Sequence, residues 1–157
     1  NEDEVVPLAR AVEYAKGYLT IQKMRYKDKL EFEIDVEPSI LNIPLIKLVL
    51  QPIIENAIYH GLKYKESKGL LQVKGFMKDG NAVLQVIDNG VGMDEETLSH
   101  IYDKHKVNYH SNGVGVYNVQ KRLKLYYGEN YGITYESEKG VGTTATIIIP
   151  GIQEESI

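Results

Sequence analysis

The chain of 157 residues is long enough for one domain around a single core, and at 43% hydrophobic and 25% charged it has the composition of an ordinary globular protein. The absence of cysteine excludes a disulfide framework and thiolate metal sites and suits a reducing compartment, while a formal net charge of -4 without a long basic stripe speaks against a nucleic-acid partner. No apolar run reaches the roughly 18–20 residues that cross a bilayer and no signal-peptide pattern opens the chain, so a cytoplasmic location is expected, including as the cytosolic end of a membrane protein.

In chain order, residues 5–28 are expected to form an opening helix, because Val5, Leu8, Val12, Ala15, Leu19 and Ile21 recur at near-helical spacing. Gly17 weakens that helix locally by about 1 kcal/mol relative to Ala. Leu30, Phe32, Ile34 and Val36 alternate with Glu31, Glu33 and Asp35, the pattern of a half-buried strand that Pro38 ends. A second helix is expected over residues 43–61, with Pro44 in its first turn and Gly61 at its end. Its surface is apolar nearly all round, which requires cover on more than one side. Pro52 inside it predicts a local break in the hydrogen-bond ladder.

Strands are expected at 70–77 and 82–88, joined through Lys78-Asp79-Gly80-Asn81, a strong hairpin signal. Residues 94–112 are polar and weakly periodic, with two or three possible short helical turns. A third helix is expected over 115–127, then a hairpin of 132–138 and 143–149 turning through Lys139-Gly140-Val141-Gly142. Residues 151–157 form a short acidic tail. This order predicts a two-layer α/β sandwich, a mixed sheet with helices on one face.

Four segments carry chemistry. At about 100° per residue, Asn56 shares a helix side with Leu45, Val49 and Ile53, with His60 one turn further on. A buried amide needs a partner. Neighbouring backbone is the ordinary one, and Mg²⁺, which takes hard oxygen ligands, is the sharper alternative. Asp88-Asn89-Gly90-Val91-Gly92-Met93 follows the strand ending at Ile87. It reads either as an Asx turn or as a carboxylate accepting from an exocyclic amine beside glycines that admit a flat ring. Gly113-Val114-Gly115-Val116 enters a helix, where free N–H groups suit phosphate, but neither a Walker nor a Rossmann pattern accompanies it. Gly140-Val141-Gly142-Thr143-Thr144 is sufficient as a hairpin turn, and Thr143 offers a hydroxyl to a bound base.

In this order and at these intervals, the motifs resemble those of the Bergerat-fold (GHKL) superfamily, and within it the LytS/YesM-type sensor histidine kinases. Tyr18 to Tyr26 is similar to that family's helix leading into the domain. Leu50-Gln51-Pro52 through Glu55-Asn56-Ala57 and His60-Gly61 is similar to its N box. Gly115 to Val119, with Arg122-Leu123 and Tyr127-Gly128, is similar to its second glycine-box helix.

The resemblance implies a Bergerat-type, largely antiparallel sheet and a division of the chain into a leading helix (1–28), an ATP-binding catalytic domain (29–150) and a tail. It implies that Asn56 coordinates the Mg²⁺ of bound ATP and that His60 packs beside the nucleotide. Asp88 would accept the adenine amino group, Gly90, Gly92 and Met93 would shape the base pocket, and Thr143 would support the base. Gly113 and Gly115 would hinge the lid and donate N–H groups to the phosphates, Val114 and Val116 would belong to the same ATP-binding set, and 94–112 would be the ATP lid. Where many such kinases carry Lys three residues after the Asn, this chain has Tyr59, which leaves Lys63 or Lys65 to reach the phosphates. The hydrolytic members place a Glu four residues before the Asn, and here that position is Pro52.

The implied activity is transfer of the ATP γ-phosphoryl group to a histidine on a helix outside this chain. None of the four histidines here suits the acceptor: His60 belongs to the pocket, and His100, His105 and His110 lie in the lid as solvated residues. The implied partners are the phosphoacceptor helix of the same kinase and a cognate response regulator, within a membrane-anchored, homodimeric parent. An ATPase, a serine kinase acting on a protein switch, and a non-catalytic docking module are the competing functions.

Overall fold

The computed structural model describes residues 5–103 and 115–152. Its centre is a five-stranded sheet of β2 (Leu30–Val36), β4 (Gly69–Lys78), β5 (Asn81–Asp88), β7 (Gly142–Pro150) and β6 (Gly132–Glu138), in that spatial order. β2 runs parallel to β4 and the remaining pairs are antiparallel. One face carries α1 (Leu8–Tyr26), α2 (Leu50–Asn56) and α4 (Val116–Tyr127), which is the expected two-layer sandwich.

Period-2 patterning sets the sheet's inner face. Val73 pairs with Val86, Val86 with Ala145, Leu84 with Ile147 and Ile147 with Ile133, all pointing at the helices. Leu8, Ala15 and Leu19 of α1, Leu50, Ile53 and Ile54 of α2, and Val119 and Leu123 of α4 complete the core, each of them buried. A fully buried Leu, Ile or Val side chain contributes about 1.5–3 kcal/mol. The opposite face is polar, with Gln72 donating to Glu33 at 2.9 Å and Gln85 to Thr146 at 3.3 Å, as an antiparallel sheet with one solvated side allows. Asp79 (φ 52°) and Gly80 (φ 80°) close the β4–β5 hairpin with the left-handed pair that a two-residue loop requires.

The two expected early helices begin later than the sequence predicts. Val5–Pro7 is a strand, β1, paired antiparallel with β3, Pro44–Ile46. Each short strand contains a proline, and a residue preceding proline is pushed to extended geometry. The first N–H groups of α1, which have no intrahelical acceptor, donate outward: Leu8 N to Ile43 O at 2.8 Å and Ala9 N to Leu41 O at 2.9 Å. The chain then turns through Leu48 at φ 61°, so Pro44 is no helix starter and α2 opens at Leu50. Pro52 stands in the first turn of α2, where a missing N–H breaks nothing. Instead of ending at Gly61, the helix widens into one π turn, Ala57–Leu62.

Candidate functional site

The π turn builds the first wall of a cavity. Lys63 N donates to Ile58 O, five residues back, at 2.9 Å. Such single π turns inside helices are frequent at functional sites. Asn56, Ala57, His60 and Gly61 all line the cavity from this segment. Glu55 turns away and pairs with Gln51 at 3.1 Å.

The sheet supplies the floor. Register places Leu71, Asp88, Thr143 and Ser137 in one row and Val73, Val86, Ala145 and Tyr135 in the next. Alternation from Ala82, Leu84 and Val86 directs Asp88 inward, and only 5% of it is exposed. Burial pushes its carboxyl up from the ordinary 3.8 to about 6, against the Gly90 and Thr143 backbone N–H groups, which lower it. The Gly90 N–H donates to Asp88 Oδ1 at 2.9 Å. Burial also holds the Tyr135 phenol above its usual range, with Tyr102 adding to the effect and Asn56 opposing it.

The turn after β5 is wedged between two backbones. A Cβ at Gly90 would lie 2.1 Å from Gly61 O, and one at Gly92 (φ 68°) 2.0 Å from Glu138 O. The packing is fastened by Val91 N donating to Gly61 O at 2.9 Å and Gly140 N donating to Val91 O at 2.7 Å. Met93 N donates to Ser137 Oγ at 2.8 Å, and Ser137 shares a 2.7 Å hydrogen bond with Thr143. Asp94 then caps the short α3, Glu95–Ser99, by accepting from Thr97 N at 2.8 Å.

The cavity measures about 610 Å³, the size of a small-molecule site. Of the anticipated residues, Asn56, His60, Asp88, Gly92, Met93, Gly115, Val116 and Thr143 line it together. Gly90 stands behind the wall, against Gly61. Lys63 is not among the lining residues: its Nζ lies 4.3 Å from the centre of the Tyr59 ring and donates to that phenol at 3.3 Å. Gly113, Val114, His105, His110 and the segment 104–112 of the anticipated lid lie outside the described residues. His100 Nδ1 meets Asp103 Oδ2 at 2.7 Å, and Asp103 joins Thr97 and Ile101 along the cavity.

Tyr135 and Ser137 are among the contributors that the sequence does not single out. Tyr135 lines the cavity and Ser137 ties the turn to the last hairpin. Alternation along 132–138 marks both as facing the same way as Ile133, but nothing in that strand tells which face meets Asp88.

Residues 42–153 match the family described as histidine kinase-, DNA gyrase B- and HSP90-like ATPases. The chain belongs to this family. Membership implies that the domain binds ATP. It is 30% identical over 147 residues to the sensor histidine kinase YesM of Bacillus subtilis (strain 168), covering 94% of this chain and 24% of that protein. It is 34% identical over 130 residues to the sensor protein LytS of Oceanobacillus iheyensis, covering 82% and 22%. Within the family the domain's likeness is thus to the LytS and YesM sensors, and it spans about a quarter of their length. The fold matches the catalytic domain of the histidine kinase ThkA with a TM-score of 0.70 at 14% identity, covering 94% of this chain and 98% of that one. Among the described residues no helix is long and apolar enough to cross a membrane.

Proposed function

We propose that this chain is the ATP-binding catalytic domain of a two-component sensor histidine kinase, which presents Mg-ATP to a histidine outside it. The observation that carries the reading is the convergence of Asn56, Asp88, Gly92, Val116 and Thr143 on one cavity.

The residues fit the nucleotide chemically. Asp88 is a buried carboxylate among apolar neighbours, suited to accept from an exocyclic amine. Gly92, at φ 68°, lets the turn pack against the Glu138 backbone while its own main chain lines the cavity, where a flat ring can lie against it. Asn56 supplies one neutral oxygen, suited to Mg²⁺, a cation that keeps phosphates and waters in its shell. Gly115 is the N-cap of α4 and lines the cavity with Val116 and Tyr117, so the positive end of that helix borders the space a phosphate would take.

When bound, ATP supplies the γ-phosphoryl group. The domain's own part is to hold, orient and partly neutralise it. Pro52, at the position where hydrolytic members place a general base, is buried in α2 and moves no proton. That favours presentation over hydrolysis. A homodimeric, membrane-anchored parent and a cognate response regulator complete the proposal.

Titration calorimetry with a non-hydrolysable ATP analogue and Mg²⁺ tests it. A saturable heat at one site per chain is expected. Silence in calorimetry together with an unmoved melting temperature would leave a docking module. Steady phosphate release without an acceptor would revive the ATPase reading.

A further inference from the structure

The side of α1 turned away from the core carries an apolar seam. Tyr14, Ile21 and Met24 are 63%, 59% and 72% exposed, and the exposed Gly17 stands among them. At about 100° per residue the four fall within roughly 80° of the helix circumference, opposite Ala15, Leu19 and Gln22, which are buried. Their spacing of three, four and three residues is the a/d repeat of a helix that packs on another helix. Gly17 leaves room in the middle of this seam: a Cβ there would meet no atom within 4 Å. Glycine inside a helix costs about 1 kcal/mol relative to alanine, and among the described residues nothing uses the space it opens.

We propose that this seam pairs with the same seam of a second copy of the chain, antiparallel, about a twofold axis level with Leu19. The inference stands apart from the nucleotide site. In that register Tyr14 lies opposite Met24 of the second copy, and Gly17 lies opposite Ile21 of the second copy, each pair occurring twice. The Ile21 side chain fills the space over Gly17, and the unbranched Met24 adapts to the Tyr14 ring. Beside the seam Glu13 comes to Lys27 of the second copy, both of them exposed and opposite in charge. The two helix dipoles oppose one another favourably. A parallel pair in register would instead set Arg10 against Arg10 and Gly17 against Gly17, joining like charges and leaving a void between the Tyr14 and Ile21 layers. The antiparallel contact is isologous, so assembly stops at two chains. A helix of 19 residues gives an interface at the small end of specific ones, and a dissociation constant of about 10–100 µM is expected.

Sedimentation equilibrium of this chain over a concentration series tests the pairing, with Gly17→Leu as the decisive variant. Leucine suits a helix better than glycine, so this variant should melt no lower than wild type in dilute solution. It blocks the approach of Ile21, so dimerisation should weaken at least about tenfold. Ile21→Glu should weaken it likewise. The chain has no cysteine, so disulfide trapping reports the register: Tyr14→Cys and Met24→Cys chains should cross-link when mixed under oxidising conditions and not when either is alone. The three other layers of the mixed dimer stay as in wild type. A monomer at every concentration would overturn the proposal. So would dimerisation that Gly17→Leu leaves intact, which places the contact on another face, or cross-linking of Tyr14→Cys with itself, which marks a parallel pair.

Discussion

The Asp88 carboxyl lies against Gly61: a Cβ added to that glycine would sit 2.7 Å from Oδ1 and 2.9 Å from Cγ. The acid that closes β5 therefore occupies the space that a side chain on the π turn would fill. Gly61→Ala is expected to displace the carboxyl and weaken adenine-nucleotide binding at least about tenfold, an effect of one charged hydrogen bond. Calorimetry checks the affinity, and a denaturant melt checks that the fold survives.

Asp88 also makes the domain sensitive to pH. Its carboxyl titrates at the ordinary 3.8 in the unfolded chain and about 6 in the folded one. The folded state therefore binds the proton more tightly, and stability falls as pH rises through 6. At neutral pH the buried charge costs roughly 3 kcal/mol, all of it regained below pH 4. Asp88→Asn is expected to raise stability at pH 7.5 over wild type, with the difference shrinking toward pH 5. The same substitution should cost about 1.5–3 kcal/mol of nucleotide binding, and wild-type affinity should decline as pH drops below 6. Parallel urea melts and titrations across this range decide both points.

Gly90 and Gly17 offer a contrast between two glycines of different standing. Alanine at Gly90 brings a Cβ within 2.1 Å of the Gly61 carbonyl oxygen, backbone against backbone, where neither side yields. A loss of about 3 kcal/mol or more is expected. Alanine at Gly17, in α1, meets nothing within 4 Å and should stabilise by about 1 kcal/mol. Melting temperatures of the two variants, measured side by side, check the pair.

Tyr127 joins α4 to β3. Its hydroxyl accepts from Ile46 N at 3.1 Å and donates to Pro44 O at 3.2 Å, and burial pushes the phenol up to about 12. Tyr127→Phe removes both of these hydrogen bonds and should cost about 1–3 kcal/mol. Hydrogen exchange at the Ile46 amide should accelerate. Unchanged protection would mean that β3 is held by β1 alone.

The hairpins were legible because their signals are local. Asp79-Gly80 between alternating runs admits one turn, and alternation from Ala82 to Ile87 leaves one choice of which residues share a face. The short strands β1 and β3 were not. Three residues carry no period, and their pairing partner lies some forty positions away. Pro44 fits a helix start and an extended strand equally well until Val6 and Leu45 meet. The π turn was hidden for a related reason: one residue more per turn at Ala57–Leu62 changes no composition and no apolar pattern.

The candidate site divides along the same line. Asn56, Asp88, Gly92 and Thr143 stand out along the chain, because an amide on an apolar helix and glycines following a carboxylate are unusual within a few residues. Tyr135, Ser137 and the contact between Gly61 and Asp88 arise where strands that are far apart in the chain come into register. Residue type and spacing are local properties, readable in a string. Whether two groups touch depends on long-range pairing and close packing, and those exist only once the sheet has closed beneath its helices.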